Sequence, residues 1–169
     1  MQYTGAVAGE YAKYRGVVPV LLQRLISGSG STSTSHVLEI GCGTGNYLHA
    51  VTMTTGCRSA GVDPSDDMLE VARTRGLHVS PGHGEALPFA DATFDFVYSV
   101  DVIHHVANRE GCYREAARVL RPGGRLCTAT DSEWTIRHRG VLSKYFPDTI
   151  TVDLQRYSTI HSSRRGWRR

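Results

Sequence analysis

The sequence predicts an α/β protein with a mostly parallel, doubly wound sheet that has helices on both faces. Short apolar runs alternate with helical patterns along residues 36–132, which is the layout of successive βαβ units. The first run leads directly into a glycine-rich turn, VLEIGCGTGNYL at residues 37–48. Because ligands of parallel sheets bind beyond the carboxyl ends of the strands, the chemistry is expected at those ends.

The predicted elements follow one another without internal repeats. Strands are predicted at residues 37–40, 59–62, 78–80, 94–100 and 125–130, and helices at 46–55, 65–75 and 111–120. Ser65 is a suitable N-cap, and Asp66 and Asp67 favour the positive end of the helix that follows. The RPGG segment at 121–124 predicts a turn before the fifth strand.

Composition changes divide the chain into five parts. They are N-terminal cap helices at 1–26, a Ser/Gly linker at 27–35, the sheet-forming core at 36–132, a lid-like segment at 133–160 and a basic tail at 161–169. The net charge of +3 comes from the four arginines of the final RRGWRR, so the rest of the chain is near neutral. We therefore expect no nucleic-acid partner.

The cysteines and the N-terminus point to an ordinary intracellular protein. Four cysteines occur without a C-x-x-C pair or a nearby histidine pair, so reduced thiols are expected and no metal site is expected. No apolar run approaches the roughly 20 residues that a membrane span needs, and the N-terminus lacks a signal-peptide pattern. The expected location is cytoplasmic, with no membrane partner.

The spacing of the glycine-rich turn excludes two common phosphate sites. A dinucleotide fingerprint, G-x-G-x-x-G/A, counted from Gly41 would need Gly or Ala where Asn46 stands. A P-loop would need a lysine after Gly45. The carboxylate of Glu39 beside the turn would repel a pyrophosphate and suits a ligand with positive charge. The alternative is that these glycines only close a strand–helix turn.

A second acidic residue ends the second strand. Asp63 lies about 20 residues past the glycines, where an acidic side chain is placed to accept hydrogen bonds from both ribose hydroxyls. A lone aspartate at this position would more often cap the following helix. Together with the upstream turn, it favours a ribose-containing ligand.

Four segments together carry a family resemblance. VLEIGCGTGNYL, GVDPSDDMLEVAR, GEALPFADATFDFVYSVDVIHHV and REAARVLRPGGRL follow in order over about residues 6–132. The sequence resembles the class I methyltransferases that use S-adenosylmethionine (SAM), in the branch of ubiquinone/menaquinone-type and small-molecule enzymes. The resemblance implies a Rossmann-like fold, SAM as cofactor, S-adenosylhomocysteine (SAH) as product and a small-molecule acceptor.

The resemblance also implies a role for particular residues. Glu39 would support the ammonium end of SAM, Asp63 would bind the ribose, and His83 stands where the family commonly has an aspartate that accepts from the adenine amino group. The other cofactor-binding residues that it implies are Tyr11 and Arg15 in the cap, Gly41, Cys42, Gly43 and Gly45 in the turn, Pro64, Met68, Glu85 and Ala86 near the adenine, and Ser99 and Val100 on the methionyl side.

Methyl transfer from a sulfonium is an in-line displacement, so positioning in a dry pocket supplies much of the catalysis. A base is needed only where the acceptor must lose a proton. His104 and His105 follow the fourth strand and are the expected candidates for that base, with Asp101 a weaker one. For each histidine the alternative is a packing or capping role at a helix start.

The last part of the family pattern has no counterpart in the sequence. The family sheet has seven strands, whereas here residues 134–157 supply only a lid-like segment, a helix near 136–146 and an extended piece at 150–154. The fifth strand would then present an open edge. The chain is interpreted as C-terminally truncated; the edge could pair in a homodimer, or ITVDLQRY could fold back over it.

Two other functions are alternatives to methyl transfer. A truncated chain could be a SAM- or SAH-binding module with little or no turnover. An NAD-dependent oxidoreductase is disfavoured by Asn46 and Glu39.

Overall fold

The computed structural model describes residues 16–138 as a five-stranded sheet with helices on both faces. The strands are β1 (His36–Ile40), β2 (Arg58–Asp63), β3 (Val79–Pro81), β4 (Phe94–Val100) and β5 (Leu120–Ala129). The helices are α1 (Pro19–Ser29), α2 (Asn46–Thr55), α3 (Asp66–Thr74), α4 (Arg109–Val119) and α5 (Glu133–Arg137), with a short 3-10 helix at Ile103–His105. Every neighbouring pair of strands is parallel, in the order β3-β2-β1-β4-β5.

This topology confirms the predicted α/β class and the parallel sheet. The order reverses between β1 and β4, because the chain builds outward through β2 and β3 and then crosses back to β4. The carboxyl ends of β1 and β4 therefore diverge at a topological switch point, where open α/β sheets bind ligands. The glycine turn follows β1, so it lies at this point.

Most boundaries differ from the prediction by one or two residues, but two segments differ in kind. Helix α1 runs through Ser29, so the predicted linker starts too early. Its polar end is held because the Arg125 guanidinium donates to the carbonyl of Gly28 (2.7 Å), and Gly30 ends the helix in the left-handed conformation (φ 65°). Residues 121–124 are not a turn outside the sheet: the register passes from Phe94↔Leu120 to Phe96↔Arg125, so RPGG forms a bulge within β5.

Side chains of β1 and β4 alternate between the two faces of the sheet. Val37, Phe96 and Tyr98 pack with α1 and α2 on one face, together with Leu25 and Val51. On the other face, Leu38, Ile40 and Val97 pack against residues of α4 such as Ala116 and Val119. Both central strands are therefore buried on both faces, as expected for a parallel sheet.

The crossover from β3 to β4 contains no helix. Residues 82–93 form a loop whose only described ladder contact is an isolated bridge between His83 and Ala86. Leu87 is buried in the core, and Phe89 packs edge-on against Phe94 with ring centroids 5.0 Å apart. This loop covers the α4 face of the sheet and reaches its carboxyl edge.

We predict that Gly61→Ala destabilises the fold, because β2 passes close under the glycine turn at this residue. An added Cβ would lie 2.6 Å from the Cys42 sulfur and 2.9 Å from a Leu48 methyl carbon. Overpacking of this kind costs about 1–3 kcal/mol in the free energy of unfolding, measured by urea denaturation.

Gly28→Ala is the matched control. Gly28 lies in α1, and an added Cβ there would meet nothing within 4 Å. The variant should gain roughly 0.5–1 kcal/mol from helix propensity. Equal stability of Gly61→Ala and the wild type would contradict the close packing of β2 under the turn.

Candidate active site

The glycine turn after β1 bends through three left-handed residues. Gly41, Gly43 and Gly45 have φ angles of 72°, 50° and 76°, which only glycine adopts without strain. The turn directs its N–H groups inward: Gly41 and Cys42 both donate to the carbonyl of Val62 (2.7 and 3.0 Å), and Gly45 donates to that of Cys42 (2.8 Å). These N–H groups are therefore not presented to an anion, which supports the exclusion of a phosphate cradle.

Asp63 ties this turn to the end of β2. One carboxylate oxygen accepts from the N–H of Gly43 (2.8 Å), and the other accepts from the N–H of Ser65 (2.9 Å). Partial burial raises the pKa of Asp63, while these two bonds and the nearby His83 act to lower it. Because each carboxylate oxygen carries two lone pairs, both can still accept from ligand hydroxyls.

Glu39 is a buried acid behind the turn. Its side chain is 3% exposed, and the hydroxyl of Tyr98 donates to Oε2 at 3.1 Å. Burial, with a smaller contribution from the charge of Asp63, raises the pKa of Glu39 to about 8, although hydrogen bonds from the Tyr98 hydroxyl and the Leu48 backbone act to lower it. A cation bound nearby would favour the ionised form and lower this pKa. The raised pKa of Glu39 in the free protein is therefore mainly an effect of burial.

The space around the glycines is uneven. A Cβ on Gly41 would meet the Val102 methyl groups, and a Cβ on Gly45 would meet a methyl group of Leu77, each closer than 3 Å. By contrast, a Cβ on Gly43 would meet nothing within 4 Å. The open space of the turn is therefore beside Gly43 and its partner Asp63. Cys42 points into the core, where burial raises the pKa of its thiol, so only its backbone belongs to the turn.

The turn also holds one unsatisfied polar group. The hydroxyl of Thr44 is buried and has no hydrogen-bond partner within residues 16–138. A buried hydroxyl without a partner is rare in folded proteins and often marks a functional region.

Residues predicted to flank the adenine border the same edge from β3 and α3. The loop after β3 is joined to β2 where the N–H of Gly82 donates to the carbonyl of Asp63 (3.2 Å). His83 and Ala86 are exposed in this loop, and Glu85 is half-buried. Pro64 is exposed, whereas Met68 is already buried in the protein at 3% exposure.

The end of β4 completes the edge on the other side of the switch point. Ser99 is buried, with its hydroxyl 3.5 Å from that of Thr128, and Val100 is half-buried. Asp101 adopts φ 55°, an uncommon conformation for a residue other than glycine, and its N–H donates to the carbonyl of Ala129 (2.8 Å). Strained residues of this kind concentrate at functional sites.

The histidine pair forms the short 3-10 helix that follows Val102. The rings of His104 and His105 lie with centroids 4.0 Å apart, tilted by 50°. The Nδ1 atom of His104 is buried, while the side chain of His105 is exposed. Since Val102 packs on Gly41, this segment lies against the glycine turn. The predicted cap residues Tyr11 and Arg15 lie outside the described residues.

Three contacts at the site were not predicted from the sequence. Tyr98 reaches Glu39 because the two are paired in register across β1 and β4, and Val102 covers Gly41. Glu115 and Arg118 of α4 hold the backbone of the loop after β3. The Glu–Arg spacing on a helix could have suggested an ion pair, but nothing in the sequence indicated its loop partners.

Comparison with known proteins places this arrangement in a family. The family described as methyltransferase domain matches residues 38–128, which is more than half of the chain. Methyltransferase GfsG of Streptomyces halstedii is 37% identical over 76% of this chain and 46% of its own length. The sterol 24-C-methyltransferase of Eremothecium gossypii is 38% identical over 57% of this chain and 28% of its own length.

Other matches cover more of the chain. An uncharacterized methyltransferase of Staphylococcus carnosus is 32% identical over 91% of this chain and 76% of its own length. The crystal structure of a SAM-dependent methyltransferase from Methanococcus maripaludis shares the fold, with a TM-score of 0.75 over 97% of this chain and 82% of that one, at 18% identity. The chain spans less than half the length of the Streptomyces and Eremothecium relatives. On the family match and the Staphylococcus relative together, the chain belongs to the methyltransferase-domain family.

Proposed function

We propose that this protein transfers a methyl group from SAM to a small-molecule acceptor and releases SAH. The observation that carries the proposal is the pair of acids, Glu39 and Asp63, at a glycine turn whose described N–H groups bond inward. Such a site suits a ligand that combines a cationic end with sugar hydroxyls. SAM has both and carries no phosphate.

The side chains at the site fit the parts of SAM separately. Glu39, a buried acid whose pKa is raised mainly by burial, would bind near the α-ammonium group, which would favour its ionised form. Asp63 would accept from the ribose hydroxyls with the lone pairs that Gly43 and Ser65 leave available. Pro64, His83, Glu85 and Ala86 would border the adenine, and Ser99 and Val100 the methionyl side.

The chemistry that bound SAM supplies is an activated methyl group on a sulfonium. The contribution of this chain is to bind SAM at the switch point and to orient the acceptor in line with the bond between the methyl group and the sulfonium. His104 is the proposed base for acceptors that must lose a proton, because its segment lies against the glycine turn through Val102. His105, which is more exposed, and the strained Asp101 are secondary candidates.

A small-molecule acceptor is favoured by the charge of the strand ends. Asp63 and Glu85 are acidic residues along this edge, and they would repel a polyanion such as RNA. The name of the Eremothecium relative specifies a sterol acceptor.

Four free cysteines, three of them buried, support a reducing compartment, and we propose the cytoplasm. Among the described residues no helix is long and apolar enough to cross a membrane.

The alternative function is a SAM- or SAH-binding module with little or no turnover. Tight SAH binding together with no SAH formation across a panel of hydroxyl, amine, thiol and carbon acceptors would favour it. SAH formation with any member of the panel would exclude it.

We also propose self-association through β5, which lies at one edge of the described sheet. None of its ten residues is fully buried. A cleft between α1 and β5 is lined by the apolar side chains of Leu25, Phe96, Leu126 and Cys127, together with Arg24 and Arg125. Pro122 and the bulge protect the start of the strand, so pairing would involve residues 125–129.

Light scattering over a dilution series should show dimers that dissociate, and Leu126→Lys should weaken them. A monomer at every concentration would contradict this proposal.

Replacing the β2 carboxylate tests the ribose assignment. Asp63→Asn should weaken SAH binding by about 1–3 kcal/mol, because the amide has one accepting oxygen where the carboxylate has two. Asp66→Asn, three residues on and exposed, removes the same charge without touching the turn and should bind SAH as the wild type does. The measurement is isothermal calorimetry. Unchanged affinity of Asp63→Asn would rule out the ribose role.

The raised pKa of Glu39 predicts a pH dependence of binding. Below pH 8 the free protein carries a proton on Glu39, and a bound ammonium would favour its loss. SAH affinity should therefore rise from pH 6 to pH 7 by up to about tenfold, with the ligand ammonium still protonated at both values. In Glu39→Gln the affinity should be lower and nearly the same at both values. Equal pH dependence in variant and wild type would show that another group is responsible.

Turnover tests the histidine pair. His104→Ala should lower the rate of SAH formation with a hydroxyl acceptor by about 10²–10⁴-fold, while the dissociation constant of SAH stays unchanged. His49→Ala, exposed on α2, is the control and should keep the wild-type rate. Full activity of His104→Ala would remove it from the mechanism, and His105→Ala would then be examined in the same assay.

A further inference from the structure

The loop at residues 82–93 needs support from outside itself. It replaces the crossover helix between β3 and β4, so most of its backbone groups lack the partners that a helix would supply. Within the loop, few bonds are made: the N–H of Ala86 donates to the carbonyl of His83 (3.1 Å), and that of Phe89 to the carbonyl of Leu87 (2.8 Å). The same loop carries Glu85 and Ala86 to the carboxyl edge.

Arg118 of α4 holds the loop at three places. Its guanidinium donates to the carbonyl of Leu87 (3.1 Å), to the carbonyl of Phe89 (2.8 Å) and to the carboxylate of Asp91 (2.7 Å). The backbone of α4 adds two more contacts, because the N–H groups of Ala92 and Thr93 donate to the carbonyls of Arg118 and Val119. The second half of the loop is thereby fixed along the end of α4.

Glu115 binds the other backbone group of Leu87, its N–H. Its Oε2 accepts from the N–H of Leu87 (2.9 Å) and from the Arg118 guanidinium (2.8 Å), while Oε1 accepts a second Arg118 bond (2.7 Å). Both backbone groups of Leu87 are thus held by one ion pair. The Arg118 guanidinium and the bond from Leu87 lower the pKa of Glu115 to about 2, so the pair stays charged at physiological pH.

The first half of the loop contacts the opposite end of the same helix through one longer hydrogen bond. The N–H of Asn108, the N-cap of α4, donates to Oε1 of Glu85 at 3.4 Å. Leu87 is buried beneath the pair and is adjacent to the exposed Ala86. A shift of Leu87 therefore moves the residues that border the nucleoside side of the site.

We propose that Glu115 and Arg118 are positioning residues that determine nucleoside affinity. They lie on α4, hold both backbone groups of Leu87, and so fix Glu85 and Ala86 against the ligand. This inference rests on the proposed function, since it takes the bound ligand to be SAM or SAH. It assigns the two residues a role in binding through the loop and not in the transfer step.

The test compares two ligands in the 169-residue chain by calorimetry. SAH has both a nucleoside and an amino-acid end, whereas 5′-methylthioadenosine has only the nucleoside. Arg118→Met, which keeps an apolar stem and removes the donors, should weaken both ligands by about tenfold. Glu39→Gln should weaken SAH and leave methylthioadenosine unchanged. Arg114→Met is the matched control: Arg114 pairs with Glu110 on the exposed face of α4, and both affinities should stay at wild-type values.

A charge-swapped double variant separates positioning from helix stability. Glu115→Arg with Arg118→Glu restores an ion pair within α4 but presents a donor to the N–H of Leu87 and an acceptor to its carbonyl. We expect its melting temperature to recover relative to Arg118→Met, and its ligand affinities to stay low. Hydrogen exchange of a peptide covering residues 84–92 should be faster than in the wild type in both variants, and unchanged in Arg114→Met.

The outcomes distinguish this inference from the proposed function. A folded wild type that binds neither ligand would overturn the proposed function and this inference with it. Wild-type binding together with unchanged affinity and exchange in Arg118→Met would overturn the positioning role alone. A lower melting temperature with unchanged affinities would show that the pair only stabilises α4. Restored affinity in the charge-swapped variant would also contradict the role assigned to the backbone contacts.

Discussion

The carboxylate of Asp63 is the constraint on which the site depends. It accepts from the N–H of Gly43 on one side and from that of Ser65 on the other, so it joins the turn after β1 to the start of α3. Among the described residues, this carboxylate is the acceptor that the Gly43 N–H uses. Under the proposed function the same group accepts from the ribose, so that the ligand contact and the shape of the turn would depend on one side chain.

This arrangement explains why the turn does not serve as a phosphate site. In a phosphate-binding loop, successive backbone N–H groups point toward the ligand. Here the N–H groups of Gly41, Cys42, Gly43 and Gly45 bond to the protein, and Glu39 adds a buried acid behind them. The turn is therefore not suited to bind a phosphate, and the two acids beside it suit a ligand with a cationic group and hydroxyls.

Much of the fold and part of the site could be predicted from the sequence. Apolar runs and the Ser65 N-cap gave the order of strands and helices, because burial on both faces of a parallel sheet leaves a clear pattern. The placement of Glu39 and Asp63 at the glycine turn also followed from the sequence, and their roles in ligand binding stay predictions. Helix α1 was predicted to end early because Ser27, Gly28 and Ser29 resemble a linker, yet the Arg125 contact with Gly28 comes from 97 residues away.

The contacts that could not be predicted are those between distant segments. The Tyr98–Glu39 bond depends on the register of β1 and β4, and the packing of Val102 on Gly41 depends on how the chain leaves β4. The hydrogen bonds of Leu87 with Glu115 and Arg118 join residues that are separated by 28 and 31 positions in the sequence. Local periodicity carries no information on such pairs, and they decide where the loop lies relative to the strand ends.

The central claim is that the strand-end site takes a nucleoside that carries an ammonium group, and not a dinucleotide. Calorimetric titration of the wild-type chain with SAH and with NAD at equal concentrations, at pH 7, tests it most directly. The account predicts saturable one-to-one binding of SAH and no measurable heat with NAD. Binding of NAD, or failure of a folded chain to bind SAH, would contradict it.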